Sequence, residues 1–405
     1  MEQEKKQGGF WKGFLCATGL FFVVISLGLM IVVGIKILSV SEPEESHSNL
    51  VSQDPQVHAK LEQLEHYIRG HYLDEIDDEK LADYLYYGLV AGLGDPYAAY
   101  YNEQETQSMI DSSTGSYCGI GAVFSQNMTT GIVTVSQVYE GCPSYEAGIL
   151  PGDILYKVNG EDVMGQDLTN VVTKIKGEEG TEVTITMIRD EEEIDFIMER
   201  RVIEVPTIEH EMLANDIGYI QIMEFDSITA DQFHNALTEL QSQGMKALVI
   251  DLRNNGGGSV EAVCSIADEL LPEGPIVFTE YKDEEWQERS SDASCVDVPM
   301  AVLMNGNSAS ASEILAGALQ DYEEAVIVGT QSYGKGIVQS VIDLRDGTAL
   351  KITTAKYYTP NGNNIHEIGI TPDVEIDLPE ELKTQVDISY EEDVQLQKAI
   401  EVLQQ

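Results

Sequence analysis

Apolar and polar positions change rhythm several times along the chain, and each rhythm predicts a different kind of element. The first block is unbroken: between Gly13 and Ile35 no side chain carries a charge, over 23 residues. As a helix that stretch would rise about 35 Å, enough to cross a bilayer. It is too long for the apolar core of a cleaved secretory signal and lacks a small-residue cleavage site, so it predicts an uncleaved signal anchor. Residues 36–56 are polar, carry two prolines and read as a linker. From 57 to 93 apolar residues return at helical spacing, as Leu61, Leu64 and Ile68 and then Leu81, Leu85, Leu89 and Leu93, which predicts short helices ending at Gly94-Asp95-Pro96. The tyrosines of this region, among them Tyr84, Tyr86, Tyr87 and Tyr100, read as packing residues.

Beyond 111 the period shortens. Runs such as GIVTVSQV and EVTITMIR between glycine turns predict a small β-rich module over 112–200. After 200, strand-like GYIQI, ALVIDLR, PMAVLMN and AVIVGT alternate with helical DQFHNALTELQSQG and NSASASEILAGALQD, the pattern of an α/β domain. The expected organisation is a cytoplasmic segment 1–12, a transmembrane anchor 13–35, a linker 36–56, a helical region 57–111, the β-rich module 112–200, an α/β core 201–378 and a helical tail 379–405. The fold class is multidomain α/β.

Charge narrows the partners. With 23 Lys plus Arg against 70 Asp plus Glu, the formal net charge is -47, and such a surface repels phosphate backbones, which argues against nucleic acid. Lys5, Lys6 and Lys12 precede the apolar block and Lys36 alone follows it closely, so the N-terminus is expected in the cytoplasm and the remainder outside a cell membrane crossed once. Five cysteines show no CxxC and no metal-type spacing to histidine; a disulfide between Cys118 and Cys142 is left open, and no metal or organic cofactor is implied.

The serine segment carries the candidate chemistry. Ser308, Ser310 and Ser312 stand at alternate positions before a helix-like run, and Ser310-x-x-Glu313 has the form of a capping box. A Ser-His-Asp arrangement wants a histidine. Only His210, His234 and His366 fall in the α/β core, no GxSxG elbow is present, and His366 reads as an exposed loop residue. A lysine can serve as base when its surroundings lower its affinity for a proton. Lys335 lies between Gly334 and Gly336, whose missing side chains allow close backbone approach, and Gln339 four residues on has an amide suited to orienting the amine.

Two resemblances sharpen this reading. YCGIGAVF and PSYEAGILPGDILYKVNGEDVMG, continuing through VVTKIKGEEGTEVTITMIRD, resemble PDZ domains. That resemblance implies a loop of Gly119, Ile120, Gly121 and Ala122 whose N–H groups receive a C-terminal carboxylate while the tail adds a strand. DLRNNGGG, NSASASEILAGALQD, VGTQSYGKGIVQ and YYTPNGNNI with GITPDVEI resemble the carboxyl-terminal processing, or tail-specific, serine proteases, over a similarity running from about 60 to 405. The resemblance implies a crotonase-like α/β core. It also implies a nucleophile at Ser310, a base at Lys335 and an orienting amide at Gln339, with the family's offsets of 25 and 4 preserved. The oxyanion donors it implies are Ala311 N–H and a glycine of the 253–258 turn, Gly256 in the first place and Gly257 in the second. The chain departs from the family in lacking a proline in that turn and in carrying Asn363 where arginine is common. Expected partners are proteins or peptides with accessible C-termini; a homodimer contact through 57–93 and the C-terminal helix is left open. The alternative from another class is a catalytically silent tail-binding scaffold. A small-ester or lactam hydrolase would want an S-x-x-K motif, which the Ser310 segment lacks.

Overall fold

The computed structural model describes residues 50–282, 284–383, 385 and 388–404. The anchor expected over 13–35, the segment before it and most of the linker lie outside these residues. Among the described residues no helix is long and apolar enough to cross a membrane.

Contacts divide the chain into two compact units, one running up to Glu103 and including Ser340–Ile352, the other formed by Gln104–Gln339 and Thr353–Gln405. In the first unit, helices α1 (Pro55–His71) and α2 (Asp78–Ala91) start on the side chains of Asp54 and Asp77, which accept the N–H groups of Gln56 and Lys80. Neither helix buries a side chain, and Leu64, Leu85 and Leu89 are exposed. The tyrosines divide: Tyr100, on β1 (Ala99–Tyr101), is buried against the rings of Tyr86 and Tyr87, while Tyr84 is exposed. β1 pairs antiparallel with Ala349–Lys351.

The second unit opens with α3 (Glu103–Thr114), all but its first residue belonging there. The sequence pattern put the end of the helical region at 111; contacts put α3 with the larger body instead. A short β2 (Ser116–Gly119) leads into a β-rich sheet of β3 (Ala122–Gln126), β4 (Val133–Val138), β5 (Ile154–Val158), β6 (Glu161–Asp162), β7 (Glu182–Arg189) and β8 (Glu192–Glu199). Helix α4 (Pro143–Ala147) ends on Gly148 in the left-handed region, and α5 (Leu168–Ile175) starts on an Asp167 cap. Alternate residues Val183, Ile185 and Met187 of β7 point inward with Val133, Val135 and Leu155, giving this module a core of its own. β9 (Arg201–Glu204) pairs back with β2.

The α/β core is a six-stranded sheet made of β10 (Ile208–Leu213), β11 (Ile217–Ile222), β12 (Ala247–Asp251), β15 (Met300–Met304), β16 (Ala325–Gly329) and β19 (Val374–Glu375). All neighbours are parallel except β10 with β11. Buried on both faces, β12 and β15 carry the continuous apolar runs ALVI and MAVLM. One face packs on α6 (Thr229–Ser242), α7 (Val260–Leu270) and α8 (Ala311–Asp321). The other is covered by α9 (Val394–Leu403), which buries Leu396, Ala399 and Ile400 against its own sheet and so spends its apolar face inside this unit. β13 (Gly274–Tyr281) and β14 (Gln287–Ser291) form a hairpin, and β17 (Ile337–Asp343) and β18 (Ala349–Tyr358) follow the lysine segment, with β13 pairing to the second half of β18. Cys118, Cys142, Cys264 and Cys295 are free thiols.

Candidate active site

Two segments leave the carboxyl ends of adjacent parallel strands and bond to each other. The Leu252–Gly258 turn follows β12 and the Asn305–Ser310 segment follows β15. Ala309 N–H and Ser312 Oγ both donate to the Asn255 carbonyl at 3.0 Å, and Ser308 Oγ donates to the Leu252 carbonyl at 2.7 Å. The outer two serines therefore spend their hydroxyls holding the segment onto the turn. Ser310, between them, enters α8 with φ 56° and ψ -113°, a conformation L-residues avoid. Such strain costs about 1–3 kcal/mol and gathers at functional sites.

The capping box read from the sequence is present, with Ser310 N–H donating to Glu313 Oε2 at 2.9 Å, and Glu313 N–H also reaches the Ser310 carbonyl at 2.9 Å. Yet Glu313 does more than cap. Its fully buried carboxylate also accepts Lys335 N–H on Oε2 at 2.8 Å, and Gly334 N–H at 2.7 Å and Ser332 Oγ at 2.5 Å on Oε1. Four donors thus compensate the desolvated charge. One oxygen takes the main-chain nitrogens of both Ser310 and Lys335, so the two segments are in register at that point. Tyr357, 1% exposed, donates its hydroxyl to the Ser310 carbonyl at 3.1 Å; burial, then the Glu313 charge, holds its phenol well above the ordinary range.

Lys335 is half-buried between its glycines. A Cβ on Gly336 would lie 2.5 Å from His366 N, and one on Gly334 3.0 Å from the nitrogens of Ile368 and Gly369, so the lysine segment lies directly against the 364–369 loop. His366, read from the sequence as an exposed loop residue, is instead half-buried by this contact, and its Nδ1 is enclosed without a hydrogen-bond partner. Gln339 lies on β17, where its amide donates to Thr353 Oγ1 at 3.4 Å.

The turn itself is braced from within. Asn255, fully buried, donates from its amide to the Ile222 carbonyl and accepts Gly257 N–H on Oδ1, both at 2.8 Å. Gly257 N–H therefore points inward. No acceptor for Gly256 N–H or Ala311 N–H is found among the described residues, and Ala311 is the first residue of α8, where a main-chain donor has no intrahelical partner. A Cβ on Gly257 would lie 2.7 Å from Ser310 Cβ. Behind the turn, Arg253 is held by Asp251, Asp393 and Gln395, and Tyr219 donates its hydroxyl to Asp251 at 2.8 Å. The family resemblance singles out Ser310 and Lys335. The bracing roles of Asn255, Glu313, Tyr357 and Asp393 arise from contacts between distant segments and have no signature of their own.

In the β-rich module, the Gly119–Ala122 loop is tied down by its carbonyls. Ile120 C=O accepts Ser144 N–H at 2.9 Å, and Gly121 C=O accepts Ser144 Oγ at 2.8 Å and Tyr139 N–H at 3.0 Å.

Residues 216–376, containing the turn, Ser310, Lys335 and Gln339, match the model of Peptidase family S41. Residues 134–189 match the PDZ domain, a match that begins after the 119–122 loop. Over 369 residues the chain is 34% identical to a Staphylococcus aureus (strain COL) protein named "Probable CtpA-like serine protease", covering 90% of this chain and 72% of that one. The chain belongs to the S41 peptidases. This S41 peptidase is also 37% identical over 328 residues to the "Carboxy-terminal-processing protease" of Bartonella bacilliformis, covering 78% and 74% of the two chains. A solved Bacteroides fragilis structure of the S41 type shares its fold, with 18% identity, a TM-score of 0.51 and coverage of 82% and 92%. The molecule is a serine-type C-terminal processing peptidase carrying a PDZ domain.

Proposed function

We propose that this S41 peptidase cleaves peptide bonds through Ser310 and Lys335, on protein substrates whose C-terminal tails dock on the PDZ domain. The observation that carries the reading is the single carboxylate oxygen of Glu313 that accepts the main-chain N–H of both residues. Lys335, neutral when substrate is bound, takes the Ser310 hydroxyl proton as Oγ attacks the scissile carbonyl. The tetrahedral oxyanion is met by Ala311 and Gly256 N–H at the positive end of α8. The lysine ammonium then gives its proton to the leaving amine, the acyl-enzyme forms, and a water deprotonated by Lys335 attacks it, the ammonium returning that proton to Ser310 Oγ as the acid product leaves. Gln339 orients the amine. No cofactor enters the sequence.

The same reading places the enzyme on the outer side of a cell membrane, held by the apolar block 13–35, with its N-terminus in the cytoplasm. External protease added to intact cells should degrade the catalytic part; protection would overturn this placement.

The deciding experiment compares the ectodomain with its Ser310→Ala and Lys335→Ala forms on an unstructured protein ending in a free apolar C-terminus. Cleavage by the parent alone is expected. Equal cleavage by all three would overturn the dyad, and tail binding without cleavage by any would establish the scaffold alternative.

A further inference from the structure

Helix α3 precedes the PDZ sheet in the chain, yet it lies beside helix α5 of that domain. Between α3 and α5 lies a cleft of about 680 Å³. Its floor includes Leu168, Val172 and Cys118, and its α3 wall includes Gln107 and Asp111. Lys176, just past the end of α5, is the only cation among the residues lining it, and its ammonium pairs with Asp111 at 2.7 Å. Gly177 N–H reaches the Cys118 carbonyl at 3.4 Å, which sets Lys176 beside the start of the Gly119–Ala122 loop.

Two other cations near that loop do not line the cleft. Arg200, buried, donates to the carbonyls of Ile175 and Lys174 at the end of α5, and Arg201 pairs with Glu146. Lys176 is the one that lines the cleft; its ammonium lies 4.9 Å over the Tyr117 ring as well as against Asp111, a partner that can be exchanged. Asp111 also accepts the Gln107 amide at 2.7 Å, so it keeps a donor when the ammonium leaves. In a chain of net charge -47, an incoming carboxylate meets a repelling surface almost everywhere, and a cation at the mouth of an apolar cleft is where it gains most.

We propose that Lys176 receives the terminal carboxylate of a substrate tail, exchanging Asp111 for it, while the tail's apolar last side chain enters the cleft between α3 and α5. This rests on the tail-docking reading above and adds two things to it. A residue outside the 119–122 loop selects for a free C-terminus, and α3, which is not part of the PDZ sheet, supplies one wall and the competing anion.

The test uses the full chain carrying Ser310→Ala, so that peptides are bound and not cut. Fluorescence anisotropy would measure affinity for a labelled octapeptide ending in an apolar residue, as the free acid and as the C-terminal amide. The expected preference for the acid is about tenfold or more. Lys176→Met should bring the two affinities within about twofold by weakening the acid alone, Lys176→Arg should keep the preference, and Asp111→Asn should tighten the acid several-fold. A Lys176→Met chain that retains the full preference would overturn the role of Lys176 and leave tail docking standing. If the Ser310→Ala chain binds neither peptide, tail docking and this inference fall together, while cleavage by the parent chain would still support the dyad.

Discussion

The turn at 255–258 and the loop at 119–122 are both glycine-bearing segments next to the start of a helix, but they are held in opposite ways. The first is fixed by side chains from several separate places: Asn255 within it, Ser308 and Ser312 from the next segment, and Arg253 gripped by Asp251 and by Asp393 from near the C-terminus. The second is fixed through its own carbonyls, mainly to Ser144 in the adjoining helix. A site that stabilises a reacting oxyanion needs donors placed to within tenths of an ångström. A site that receives a mobile tail needs its N–H groups outward and only its floor secured. On the function proposed above, the difference in bracing follows the difference in task.

The sharpest way to break the comparison is to add one methyl group to each turn. At Gly257 φ is 104° and a Cβ would lie 2.7 Å from Ser310 Cβ and from the Ala309 carbonyl oxygen. Gly257→Ala should cost about 10²–10³-fold in kcat, because the proposed oxyanion donors and Ser310 shift together. At Gly121 a Cβ would lie 2.3 Å from Cys142 Cβ, at φ 77°. Gly121→Ala should abolish tail-dependent cleavage yet leave hydrolysis of a short activated ester within about threefold of the parent. Equal loss on both substrates from both variants would show that the two turns do not work separately.

Next in size is Glu313→Gln. Both carboxylate oxygens face donors, so an amide NH₂ in place of either oxygen would meet two of them. The expected destabilisation is about 2–4 kcal/mol, read as a lower urea midpoint, with a fall in kcat larger than any rise in KM. Unchanged stability would remove Glu313 from its bracing role.

Much of the fold was legible because the signals are local. Period-two runs predict the β-rich module and continuous apolar strands alternating with helices predict the parallel sheet, while Ser310, Lys335 and Gln339 stand out only through the family resemblance. What escaped depends on which segments meet. Glu313 looks like half of a capping box, since only the fold brings Ser332, Gly334 and Lys335 around the same carboxylate. His366 sits in a polar, glycine-bearing stretch that reads as exposed, whereas the fold sets its backbone against Gly336 and encloses its Nδ1. α3 continues the helical texture of the residues before it, while its long-range contacts, including the Asp111 pair with Lys176 and the Ser113 carbonyl that accepts Ser227 N–H at 3.2 Å, belong to the larger unit.

Asp393→Asn probes the brace from the far end of the chain. Asp393 Oδ1 accepts the N–H groups of Gln395 and Leu396 and so caps α9, a task asparagine can also perform. The substitution thus removes the charge opposite Arg253 while keeping the cap, and Asp251 and Gln395 still hold the guanidinium. A loss of about 1–2 kcal/mol is expected, with a modest fall in kcat on the short ester and no change in tail affinity. A change in tail affinity instead would contradict the separation of the two turns.

The smallest effect concerns Asp226, next to Phe225, whose N–H donates to the Gly257 carbonyl at 3.0 Å and whose carbonyl accepts Ser259 N–H at 2.6 Å. Burial first, and the charge of Glu224 second, push its carboxyl up to about 6. Because the folded-state value is raised, the folded protein holds a proton that the unfolded chain releases between pH about 4 and 6, so stability from this group falls as pH rises through that window and stays low above it. Asp226→Asn should be neutral at pH 4 and stabilising by about 1 kcal/mol at pH 7.5, a value kept small for solvent screening. Urea unfolding at the two pH values would show it, and equal stability of variant and parent at both would mean that Asp226 titrates normally. The same substitution should flatten the pH dependence of ester hydrolysis between 5 and 7 if the Phe225 contact carries the charge to the turn, and leave tail affinity unchanged, since nothing in the 119–122 loop touches Asp226 among the described residues.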